Sequence, residues 1–124
     1  MKVIKRKVFR SLTRRNNEMG IKELDGFEAE IGERRYNVYR SGYNTVHIVD
    51  PATGRSIFKC HVTEISEMNA AKTAVKEFYR TGDSLNRFLE MTKTEEYKTL
   101  VDIFDAFEHA WELEEGSKKQ WESE

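Results

Sequence analysis

The chain has 124 residues, 35% of them charged and 11% aromatic, with a formal net charge of −1 and a single cysteine. That length suits one domain with a modest core, and seven Phe, five Tyr and two Trp are too many for a disordered chain. The lone Cys60 excludes an internal disulfide framework, and no apolar run approaches the ~18 residues of a membrane span, so a cytoplasmic protein without membrane contact is expected.

Near-neutrality conceals a dipole. Residues 1–22 hold eight basic and one acidic residue, whereas residues 83–124 hold five basic and twelve acidic. The intervening segment is balanced, with eight basic and nine acidic. Such asymmetry points to a polyanion partner, a basic protein partner, or both.

In residues 2–17, Ile4, Val8 and Leu12 stand four apart among Lys and Arg, the pattern of a short amphipathic basic helix. The alternation Val3, Lys5, Lys7, Phe9 also allows an extended arm. No apolar stretch follows the first basic residues, so a secretory signal is not expected. Residues 1–22 read as a basic arm, dispensable for folding because the apolar periodicity of residues 26–111 is complete without it. From residue 26 to 62 the period becomes two. Phe27, Ala29 and Ile31 alternate with Glu28 and Glu30, and Tyr36, Val38 and Arg40 alternate with Asn37 and Tyr39. Residues 45–49 and 56–62 supply two further strands around the Asp50-Pro51-Ala52-Thr53-Gly54-Arg55 turn, where Pro51 presets its φ angle and Gly54 returns the chain. A four-stranded antiparallel meander is expected.

Ser66 caps a helix carrying Met68, Ala71, Val75 and Phe78, which Gly82 ends. A second helix carries Leu85, Phe88 and Leu89. Thr92 with Glu95 forms a capping box, opening a helix with Tyr97, Leu100, Val101, Phe104, Phe107 and Trp111 on one face and a stop at Gly116. Strands grouped before helices predict an α+β domain over residues 23–116, its sheet covered by C-terminal helices, and a frayed polar tail over 117–124.

Chemistry of the catalytic kind is not evident. His47, His61, His109 and Cys60 form no short metal-ligand pair, and the isolated turn glycines Gly32, Gly42 and Gly54 make no phosphate-cradling motif. No enzyme, metal or cofactor is expected. The binding candidates are charged. Lys2, Lys5, Arg6, Lys7, Arg10, Arg14 and Arg15 concentrate positive potential suited to a phosphate backbone, with counterion release as the driving force. Arg34, Arg35 and Arg40, interleaved with Tyr36 and Tyr39, form a second basic cluster able to stack bases. On the last helix Asp102, Asp105, Glu108, Glu112 and Glu115 recur at helical spacing as an acidic stripe, suited to a basic protein surface or to imitating a row of phosphates, and able alternatively to fold back on the arm and neutralise it.

Residues 69–74, Asn-Ala-Ala-Lys-Thr-Ala, superficially resemble the last helix of a double-stranded RNA-binding domain, but Glu67 and Met68 stand where that family has lysines, and the match is rejected. A basic N-terminus, a Tyr-rich hairpin sheet ending in TGRSIFKCHV, a covering helix and an acidic C-terminal helix resemble, in that order, small phage-encoded regulators of the anti-CRISPR kind. The resemblance implies a non-catalytic inhibitor of a nucleic-acid-handling complex. Its partner is then DNA or RNA, a nucleic-acid-processing protein, or both, and a monomer is the favoured state. The alternative is a protein-protein adaptor or structural module that touches no nucleic acid and uses Trp111 and Trp121 as anchors.

Overall fold

In the computed structural model, which describes residues 1–42 and 44–122 and gives the backbone alone for Ile4, Arg15 and residues 116–122, the chain opens with a long hairpin. Strands β1 (Lys2–Arg15) and β2 (Glu18–Ile31) are joined by Asn16 and Asn17, whose φ angles of 53° and 65° are both left-handed. Two successive positive φ values match the right-handed twist of the flanking strands, and asparagine tolerates them better than other side-chain-bearing residues. The basic arm is therefore a strand and not a helix. Ile4, Val8 and Leu12 could not discriminate, because a spacing of four satisfies a strand period of two as well as a helix period of 3.6.

The remaining strands, β3 (Arg34–Ser41), β4 (Thr45–Asp50) and β5 (Arg55–His61), follow as expected, and each strand pairs antiparallel with its chain neighbour. The sheet thus has five strands where four were expected. An irregularity between Val3 and Lys5 breaks the alternation of β1. Val3 shares a face with its partner Ala29, whereas Lys5, Lys7 and Phe9 fall on the opposite face with Glu28 and Leu24.

One face of the sheet packs on helix α1 (Glu67–Thr81). Ala29, Tyr36, Val38, Val46 and Ile48 meet Ala70, Ala71, Ala74, Val75 and Phe78, all buried. Three alanines on that helix face bring the helix close to the sheet. Ser66 accepts from the Asn69 N–H at 3.3 Å, and Gly82 takes φ 73° beyond the last turn, as the sequence predicts. Helix α2 (Asp83–Met91) adds Phe88 to this core. Helix α3 (Glu95–Glu122) is capped by Thr94, whose Oγ1 accepts from the Tyr97 N–H at 3.2 Å; Thr92 instead ends α2. The capping box at Thr92 is corrected accordingly. Helix α3 also runs through Gly116, where a stop was expected, because glycine inside a helix costs about 1 kcal/mol without ending it. Residues 123–124 lie outside the described residues.

The other face is closed by curling. The Leu12 N–H donates to the Gly54 carbonyl at 2.8 Å, and Ser11 Oγ donates to the same oxygen at 2.9 Å. The far end of β1 therefore reaches the β4–β5 turn. Gly54 has φ 64°, and a Cβ there would run into the ring of Phe104, itself 2% exposed. The segment expected to be a separate arm is a strand of the sheet, with Phe9 5% exposed, and this argues against its dispensability for folding.

Candidate polyanion-binding surface

Hairpin register decides what the basic residues of β1 can do. Strand β2 is acidic, and it sets Glu30 across from Lys2, Glu28 across from Lys5, Glu23 across from Arg10 and Glu18 across from Arg15. Opposite charges directly across a strand pair stabilise it by about 0.2–1 kcal/mol each and lower the outward potential of the basic strand.

Glu28 is the hub on the face away from α1. It is 6% exposed, and Lys5, Lys7 and Arg35 converge on it at 3.9, 3.7 and 3.4 Å. Arg6 shares the other face with Phe27; its guanidinium sits 5.0 Å from that ring and bonds Glu67 at 2.8 Å. Arg10 reaches helix α3, where it meets Glu112 at 2.6 Å and Glu108 at 3.3 Å and stacks 4.5 Å from the Trp111 ring. The hydrogen bond to Glu112 leads the causes that raise the pKa of Arg10. The acidic stripe and the basic strand therefore meet within one chain. Asp102 and Asp105 stay exposed on α3, and Glu115, half-buried, has a partner of its own.

The second basic cluster is divided by the sheet. Arg40 donates to the Glu64 and Ile65 carbonyls at 2.6 and 3.2 Å, tying the β5–α1 connection to β3. Arg34 lies 5.4 Å from the Phe88 ring, beside a buried polar group at the Asp-Pro turn. There Asp50, 1% exposed, accepts from Thr53 Oγ1 at 3.0 Å and from the Tyr97 hydroxyl at 2.8 Å. Burial, reinforced by Asp50, pushes the Tyr97 phenol up to about 12, with Arg34 opposing. Tyr36 faces the α1 core and Tyr39 stacks on His47 at 4.7 Å on the opposite face, so the two tyrosines do not form one stacking platform with the arginines. Arg14 is exposed beside the hairpin turn, and the side chain of Arg15 lies outside the described residues.

One basic cluster forms that the sequence pattern did not reveal. A groove of about 440 Å³ lies between the start of β1 and the outer side of α1, lined by Met1, Lys2, Val3, Lys72, Val75 and Lys76. Lys72 and Lys76 are one helical turn apart, and β1 carries Lys2 to the same opening. Among the described residues, none of these three lysines has an ion-pair partner. Their i,i+4 spacing on α1 was legible; their approach to Lys2 depends on β1 joining the sheet.

Among the described residues, no group of three or more His, Cys, Asp and Glu is placed to hold a metal ion, and no helix is long and apolar enough to cross a membrane. His47 hydrogen-bonds Ser41 Oγ at 2.9 Å and Ser56 Oγ at 3.1 Å, and burial lowers its pKa. Comparison with known protein families, curated proteins and solved structures gives no match.

Proposed function

We propose that the protein is a small non-catalytic regulator that binds the phosphate backbone of DNA or RNA and acts on a nucleic-acid-handling complex, as phage-encoded nuclease inhibitors do. The observation that supports this reading is the lysine groove. Lys2, Lys72 and Lys76 come from two elements, are exposed around a groove that Val3 and Val75 also line, and among the described residues make no ion pair, although Glu30 stands across from Lys2. Arg6, Arg10, Lys5, Lys7 and Arg35, by contrast, already have acidic partners. Cations without counter-charges release condensed counterions on meeting a polyanion; paired ones must first give up their acids.

Titration of duplex DNA and single-stranded RNA at several salt concentrations tests it. Three phosphate contacts predict a slope of log K against log salt of about −3, shallower than the −4 to −6 that a free seven-cation arm would give at about −0.9 per contact. Replacing Lys2, Lys72 and Lys76 together by Glu is expected to abolish binding to all sequences alike, because backbone contacts carry no base readout. No salt-dependent binding, or binding indifferent to the triple change, refutes the reading.

A protein adaptor is the second reading, favoured by Leu113 and Ile103 on α3, 60% and 37% exposed, near the exposed Asp102 and Asp105. It requires that neither nucleic acid bind.

A further inference from the structure

Helix α3 carries apolar residues on two sides. The inner side is occupied, with Tyr97 and Phe104 buried and Trp111 stacked on Arg10. At 3.6 residues per turn, Ile103, Ala106, Ala110 and Leu113 fall on the opposite side. All four are exposed, Ile103 at 37% and Leu113 at 60%. Their spacings of three, four and three residues are those of a coiled-coil seam, which here runs for about 15 Å along the helix. Two alanines between two larger residues leave a notch where the bulky side chains of a facing helix can seat. Helix formation does not explain Ile103, because a β-branched residue is a poorer exposed helix former than Lys or Glu.

The charges bordering the seam decide what can cover it. Residues 99–115 hold six acids and no Lys or Arg. Glu108 and Glu112 are engaged by Arg10, and Glu115 has a partner of its own. Asp102, Asp105 and Glu114 are exposed and, among the described residues, make no ion pair. Helical geometry sets Asp102 and Asp105 along one border of the seam and Glu114 along the other. A second copy of the chain, laid antiparallel with Ala106 against Ala110, would set acid against acid. A nucleic acid would set phosphate against acid. A cationic amphipathic helix complements both the seam and its borders.

We propose that the outer side of α3 docks a basic amphipathic helix of a partner protein. Leu or Ile side chains of that helix interleave at Ala106 and Ala110, and its Lys or Arg side chains reach Asp102, Asp105 and Glu114. The inference rests on reading α3 as a protein-binding element, for which it names the partner. It uses none of the groove lysines and holds whether or not nucleic acid binds there.

The test is fluorescence anisotropy of a labelled three-heptad peptide, with Leu at a and d and Lys at e and g, titrated with the full-length protein. Two further peptides serve as comparisons, one with Glu for every Lys and one of unchanged composition in scrambled order. The ordered Leu–Lys helix is expected to bind at least about tenfold more tightly than either. Leu113→Asp removes an anchor while adding an acid, and it should weaken binding about tenfold, whereas purely electrostatic attraction would strengthen it. Asp102→Lys with Asp105→Lys should also weaken binding about tenfold, while Glu33→Lys with Glu90→Lys, the same charge change away from the seam, should alter it less than about twofold. All these positions are exposed, so each variant should match the parent in thermal unfolding.

Absence of peptide binding overturns the proposal. So does a scrambled peptide that binds as tightly as the ordered one, undiminished binding in Leu113→Asp, or equal losses from the two double reversals. Equal binding of the acidic peptide overturns the basic partner and leaves α3 a protein-binding element. A dimer of the full-length protein in sedimentation, lost in Leu113→Asp, also overturns the proposal and assigns the seam to a second copy.

Discussion

Tyr97→Phe removes a single oxygen and leaves a ring that packs edge-on to Phe88 at 6.2 Å. The missing hydroxyl is the donor to Asp50 Oδ2 at 2.8 Å, in a carboxylate that is 1% exposed and retains Thr53 Oγ1 and, at 3.3 Å, the Ala52 N–H. Hydrogen bonds to charged groups contribute about 1.5–3 kcal/mol, and the two surviving donors place the loss at the lower end, about 1.5–2 kcal/mol. A second handle comes from pH. The folded phenol is raised from 10.0 to about 12, chiefly by burial and then by Asp50, so the native state holds its proton where the unfolded state releases it. This contribution is fully present below pH 10.0 and is lost as pH rises toward about 12. Two units correspond to an order-of-magnitude loss of about 2–3 kcal/mol across that window. Tyr36 and Tyr39 are also raised by burial, so Tyr97→Phe should shrink the alkaline loss without abolishing it. Urea denaturation of both proteins at neutral pH and through the alkaline range measures the two effects. A difference below about 0.5 kcal/mol at neutral pH, or parallel alkaline profiles, would refute the role given to this hydrogen bond.

Gly54→Ala should destabilise by about 1–3 kcal/mol from the left-handed backbone alone, and by more once its Cβ meets Phe104; thermal unfolding reads it. Phe104→Ala should cost about 3–5 kcal/mol in chemical denaturation, the range for emptying a buried aromatic site, and should loosen α3 from the Asp-Pro turn. Deletion of residues 1–17 should abolish cooperative unfolding, because it exposes β2 as an edge and removes Phe9; a variant that still unfolds cooperatively would show that β1 is peripheral. The lowered pKa of His47 predicts that stability falls with pH below the ordinary histidine value of 6.5, since the unfolded state takes up the proton first; His47→Gln should flatten that acid limb in pH-dependent denaturation.

The elements with local signals are those the sequence determined by itself. Alternation in residues 27–31, 36–40 and 45–49, the Asp-Pro-Ala-Thr-Gly turn, Ser66 before α1 and Gly82 after it all act within a few residues, and the folded chain keeps each of them. The α+β class follows from their order. What only the tertiary structure decided is the fate of the charged ends. Residues 2–15 carry a pattern that two periods satisfy, and the choice between them was made by the Asn16-Asn17 turn and by the acidic strand it brings into register. From that pairing follows everything about the candidate sites. Arg10 becomes partner to Glu108 and Glu112, about 100 residues later in the chain and invisible to any local window. Lys5 and Lys7 gather on Glu28, and Lys2 comes to rest beside Lys72 and Lys76. A charge pattern read along a chain records which charges exist. Which of them remain uncompensated is set by pairing across the sheet, because side-chain electrostatics act over a few ångströms of space regardless of separation in sequence.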